Sequence, residues 1–188
     1  MGQYYKAIIL GPSGQKEFIR VWISPFTYGN GSKLTEHSWM DNPFVAAVEN
    51  LLSPDGIFYM SRLVWAGDYA DEESDSKQNL YNMALEADDV SSSDPVLEQW
   101  ASCRPQQVPN RSTARFPYIV NHDKKLYVEK KGQMHPLPLL TVEGNGRGGG
   151  DYRGSNETLC GSWARDTISL EKMPPAGYEE LDVTFEES

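Results

Sequence analysis

Six of the eleven residues from 144 to 154 are glycine: Gly144, Gly146, Gly148, Gly149, Gly150 and Gly154. Glycine has no Cβ, so such a run reaches positive φ freely and lets a ligand approach the main chain closely. Successive N–H groups can form a concavity that holds an anion. Arg147 and Arg153 add forked donors within that run. Gly146, Arg147, Gly148, Gly149, Asp151, Tyr152 and Arg153 are therefore candidate ligand-binding residues, with Trp163 and Arg165 following closely in the chain. The rings of Tyr152 and Trp163 are candidate stacking faces for a base. The run lacks the Gly-Lys-Ser/Thr of a P-loop and the spacing of a dinucleotide fingerprint. Its plainer use is a turn in which Asp151 caps main-chain N–H groups.

Three other stretches carry groups that do chemistry. Asp68, Asp71 and Glu72 follow Trp65-Ala66-Gly67, and several carboxylates after a turn are what a hard divalent cation requires. The spacing is not that of an EF-hand, and solvated acids are the commoner outcome. Trp163-Ala164-Arg165-Asp166 echoes Trp65-Ala66-Gly67-Asp68, which predicts neighbouring elements in one sheet and a structural ion pair from Arg165 or Asp166. His37 precedes Ser38, yet no Gly-x-Ser-x-Gly elbow is present, so His37 reads as a packing or capping residue. Cys103 and Cys160 have no motif around them, and no spacing calls for a cofactor.

The elements that would position these groups follow from periodicity. Residues 4–10, 18–23, 57–66, 118–121, 126–129, 139–142, 163–170 and 181–185 read as strands, with 4–23 and 118–129 as hairpins. Asn42 and Pro43 open a helix in which Phe44, Val45, Val48, Leu51 and Leu52 share one face. A helical turn over 81–85 and a short helix over 94–100 complete the set. The expected fold is α+β, a mostly antiparallel sheet with two or three helices packed on it, in one domain over residues 1–188. Residues 71–94 read as a mobile acidic segment.

Charge narrows the partner. Net charge is −10 and the pI about 4.7, which speaks against a general duplex nucleic-acid binder. The distribution is uneven: ten acids and one base lie between Asp68 and Glu98, but eight bases and three acids between Gln99 and Arg147. That middle third is expected to offer a positive patch to a small anion or an acidic protein surface. The opening residues have no apolar core with a cleavage site, and no 18-residue apolar run occurs. A cytoplasmic protein without a membrane partner and with reduced thiols is the expectation.

Several of these stretches together resemble a group of small proteins of bacteria and their phages. They are Met1-Gly2-Gln3-Tyr4-Tyr5-Lys6, Trp65-Ala66-Gly67-Asp68-Tyr69-Ala70-Asp71, Tyr118-Ile119-Val120-Asn121-His122, Gly144 to Tyr152, and Gly161-Ser162-Trp163-Ala164-Arg165-Asp166. The resemblance spans nearly the whole chain and brings no activity with it, so no catalytic residue carries over. It implies a phage-encoded, non-enzymatic binding module of the host cytoplasm, which sequesters a nucleotide-like ligand or inhibits a host defence protein. The alternative is a metal-dependent enzyme acting on phosphoester or ADP-ribose-type substrates, with Asp68, Asp71, Asp151 or Asp166 as metal ligands or general base.

Overall fold

The computed structural model of the chain describes residues 3–12, 19–84, 115–142 and 152–186. The first strand, β1 (Tyr5–Leu10), is buried along its whole length. It pairs antiparallel with β2 (Ile19–Ile23) on one side and with β3 (Ser61–Gly67) on the other. Side chains alternate across a strand, so β1 and β3 feed two cores. Tyr5, Ala7, Ile9, Leu63 and Trp65 join the main cluster, which includes α1 (Pro43–Leu51). Ile8, Leu10, Val64 and Ala66 face a second cluster with Leu80 and Ala84, at the short helix α2 (Leu80–Met83).

The expected helix start is built as read. Asn42 Oδ1 accepts from Phe44 N at 2.9 Å and Val45 N at 3.2 Å, satisfying two N–H groups of the first turn. Phe44, Val45, Val48 and Leu51 are all buried against the sheet. In the second half of the chain, β4 (Tyr118–Asn121) and β5 (Leu126–Glu129) form the expected hairpin. The remaining strands are β6 (Thr141–Val142), β7 (Thr167–Glu171) and β8 (Glu179–Glu180). The sheet has eight strands in the order β2-β1-β3-β7-β4-β5-β8, with β6 pairing β3. Among the described residues only β3–β6 and β5–β8 are parallel. The fold is α+β with a mostly antiparallel sheet, and two α-helices occur among the described residues.

One flank of β3 is shared. β7 pairs with Ser61 and Arg62, whereas β6 pairs with Trp65 and Ala66. β7 in turn holds β4 over four residue pairs, from Tyr118↔Glu171 to Asn121↔Ile168. It therefore clasps an N-terminal group of strands to a C-terminal one.

Four expected strands differ. The run over 57–66 becomes strand only at Ser61, because Met60 takes a left-handed φ of 55° and ends a turn. The run over 163–170 starts at Thr167, because Gly161 at φ 73° and Arg165 at φ 71° hold the preceding residues in turns. Of 139–142, Leu139 and Leu140 belong to the 3-10 turn Leu137–Leu140, and only Thr141–Val142 is strand. Residues 181–185 form no strand, and the short edge strand lies just before them at β8. The helix expected over 94–100 lies outside the described residues. Among the described residues no helix is long and apolar enough to cross a membrane.

Candidate functional site

Most of the glycine-rich run, including Gly146, Arg147, Gly148, Gly149 and Asp151, lies outside the described residues. The rest of that candidate set is structural. Tyr152 and Trp163 are 2% and 1% exposed, so neither ring has a face for a base. The Tyr152 hydroxyl lies 2.7 Å from Ser155 O and 2.9 Å from Glu186 O, either of which can accept its proton, and it accepts from Glu186 N at 3.2 Å, tying the C-terminal run to residues 152–155. Arg165 forms a forked pair with Glu73, at 2.8 and 2.6 Å. This is the structural ion pair that the sequence suggests for Arg165, made to a residue of the acidic segment. Arg153 is exposed; its Nη1 donates to Tyr152 O at 2.7 Å and stands 3.9 Å from Glu157.

The acidic candidates spread apart. Asp68 Oδ1 accepts from Tyr4 N at 2.9 Å, and Asp71 and Glu72 are exposed. Among the described residues no three His, Cys, Asp or Glu side chains gather as a cation site. In the segment expected to be mobile, residues 71–84 are described; Asn79 caps α2, and Leu80 and Ala84 are fully buried. Residues 85–94 lie outside the described residues.

Of the bases in the middle third, Arg104, Arg111 and Arg147 lie outside the described residues, and four of the described ones meet carboxylates. Arg115 pairs with Asp55 at 3.0 Å, and Lys124 with Asp166. Lys130 pairs with Glu49 at 2.9 Å, and Lys131 is ringed by Glu129, Glu180 and Asp182 at 3.4, 3.0 and 3.4 Å. The carboxylates come from elsewhere in the chain, except Glu129, and offset these four bases.

The three histidines are each fixed by hydrogen bonds. Trp65 Nε1–H donates to His37 Nε2 at 3.0 Å, so the His37 proton sits on Nδ1, 3.1 Å from Gly31 O. Burial lowers the His37 pKa to about 4. His122 lies 2.8 Å from Ser169 Oγ, a geometry reminiscent of a nucleophile and its base. But Ser169 Oγ–H donates to Glu171 at 2.7 Å, so His122 Nε2–H must be the donor to Ser169. His122 Nδ1 then accepts from the Tyr178 hydroxyl at 3.1 Å. In this arrangement His122 cannot take the Ser169 proton, which a base-activated nucleophile requires. His135 Nε2 joins Glu49 at 2.8 Å beside Lys130, a buried triad linking α1 to the end of β5. Cys160 is buried, and desolvation pushes its thiol up to about 11, away from reactivity.

Among the described residues a groove opens beside the β5–β8 pair. The two run in parallel register, Leu126↔Glu179 and Tyr127↔Glu180, with Leu181 N donating to Tyr127 O at 2.7 Å. Beyond them this groove of about 610 Å³ is lined by residues 131–134 on the β5 side and 184–186 on the β8 side, with Ser38 and Trp39. Trp39 is 43% exposed and forms an isolated antiparallel bridge with Met134. Lys131 contributes a base, but its three carboxylates, Glu180 first, raise its pKa and leave the rim negative; Glu186 adds another acid. Trp39, Met134 and Phe185 give the groove apolar surface among polar neighbours, and the carboxylates around Lys131 favour a cationic or neutral occupant. Sequence reasoning missed this groove. In the sequence Trp39 stands out only by following His37 and Ser38, and the walls come from three separate stretches of chain that no spacing connects.

No family model, no curated protein and no solved structure matches this chain.

Proposed function

We propose that this protein acts by binding, and that its ligand is another protein, which it occludes. The groove beside Trp39 carries the reading. It presents a large exposed aromatic, Trp39, next to Met134 in a concavity of about 610 Å³, within the size range of recognition sites. Aromatic side chains and methionine are enriched at protein contact surfaces because they bury much area with few frozen torsions. The acidic rim, formed around Lys131 by Glu129, Glu180 and Asp182, sets the sign of the partner's charge. The resemblance to proteins of bacteria and their phages directs the search to a bacterial cytoplasm, and to host proteins of the defence type.

The test is a photo-reactive amino acid placed at position 39 and, separately, at the exposed Tyr69 on another part of the surface. The expected result is one discrete adduct from position 39 that saturates at equimolar partner. Unlabelled parent protein should compete it away, and Trp39→Ala should not. Equal labelling from position 69, or labelling that never saturates, would sink the reading.

A further inference from the structure

Resting on the protein-binding reading above, we infer that the groove receives an extended, basic segment of the partner as an added β-strand, seated between Met134 and Phe185. The direction of the main-chain groups leads to this. On the β5 side, Met40 N donates to Gln133 O and His135 N donates to Ser38 O, both at 2.9 Å. Those two bonds flank the Trp39–Met134 bridge, so this pair is the non-hydrogen-bonded rung of the ladder. In such a rung each residue's own N–H and C=O point away from the partner strand. The outward groups of Met134 therefore form an open edge.

The β8 side shows the same alternation. Thr184 O accepts from Asn156 Nδ2 at 2.9 Å and Ser155 Oγ at 3.0 Å. Glu186 N donates to Ser155 Oγ at 3.0 Å, and Glu186 O accepts from Ser155 N at 3.1 Å. Residues 184 and 186 thus spend their main-chain groups on 155–156, and Phe185, between them, has its own groups directed the other way. Among the described residues the main-chain N–H and C=O of Met134 and Phe185 make no hydrogen bond. The groove lies between residues 131–134 and 184–186, and the backbone of a strand laid in it would satisfy the open edge of Met134, with the buried Phe185 as the opposite wall.

Charge selects which strand. The ammonium of Lys131 is already shared among Glu129, Glu180 and Asp182, and Glu186 lines the same groove. An incoming Lys or Arg meets carboxylates in excess, whereas an acidic segment meets repulsion. A second copy of this chain, itself at −10, starts from mutual repulsion.

The experiment is an amide NMR titration of the full chain with three capped hexapeptides. One alternates lysine and valine, the second has the same sequence with every other peptide nitrogen methylated, and the third alternates glutamate and valine. The expected result is that the lysine peptide shifts the Met134 and Phe185 amides. N-methylation should weaken it about tenfold, by removing strand hydrogen bonds. Glu180→Gln with Asp182→Asn should weaken the lysine peptide severalfold, and added salt should do the same. Trp39→Ala should weaken it with an unchanged melting temperature, since Trp39 is half exposed. Equal affinity of the N-methylated peptide, equal affinity of the glutamate peptide, shifts confined to another surface, or no shift at millimolar peptide each overturn the inference. So does a dimer in sedimentation of the protein alone that Trp39→Ala dissolves, because the groove then belongs to a second copy. If position 39 captures a saturable partner and the peptides fail, the binding reading stands and only strand addition falls.

Discussion

Protonating His37 puts a proton on Nε2, the atom that accepts from the Trp65 indole at 3.0 Å. The folded state resists this: burial holds the His37 pKa at about 4, below its ordinary 6.5. A depressed pKa means the unfolded chain binds the proton first as pH falls. The stabilisation is therefore complete above about 6.5 and is lost progressively toward 4. A shift of that size corresponds to roughly 3 kcal/mol across the window. Urea unfolding at pH 7 and pH 4 should show that the parent loses on the order of 3 kcal/mol more than His37→Gln does. Equal losses would mean that the pH dependence belongs to carboxylates alone.

The α1 helix shows which features a sequence reveals. Its start depends on Asn42 and Pro43, adjacent in the chain, and its buried face on a 3.6-residue period, so both were legible. The β4–β5 hairpin was legible for the same reason, because its partners are joined by a turn. The strand starts at Ser61 and Thr167 were not, since apolar residues such as Ile57, Phe58 and Trp163 fill turns packed on the core as readily as strands. Nor was the fate of the bases. Lys130 reads as part of a basic run until α1 brings Glu49 to it, 81 residues away in the chain. The groove escaped for the same reason, being assembled by tertiary pairing alone. Val48 tests the helix itself. It is 1% exposed within the main cluster, and Val48→Asp would set a charge with no partner there. A loss of more than about 3 kcal/mol is expected, read as a lower denaturation midpoint. A melting temperature like the parent's would mean that another face of α1 meets the sheet.

At the scale of the whole molecule the shared flank of β3 is decisive. β1 and β3 are paired over six residue pairs, but β3 and β7 over two. The seam between the N-terminal and C-terminal strands is thus much thinner than the β1–β3 pairing, reinforced by Arg165 N to Leu63 O at 2.8 Å and Leu63 N to Asp166 O at 3.1 Å. Native-state hydrogen exchange should resolve two groups of amides, one in β1 and β3 and the other in β4 and β7, with different opening free energies. A single common value for all four strands would show that the seam is not a boundary. The same flank also matters before the protein is complete. During synthesis β3 emerges with β1 and β2 available to it, but the residues that cover its other edge, Thr141, Val142, Thr167 and Ile168, follow up to roughly a hundred positions later. At about 5–20 residues per second, the ribosome holds Leu63, Val64 and Trp65 beside an uncovered edge for on the order of 5–20 s. An open apolar strand edge is a template for pairing with other chains. The nascent N-terminal half is therefore where a chaperone would matter most, and where slowing translation would send the chain toward aggregates instead of the finished sheet.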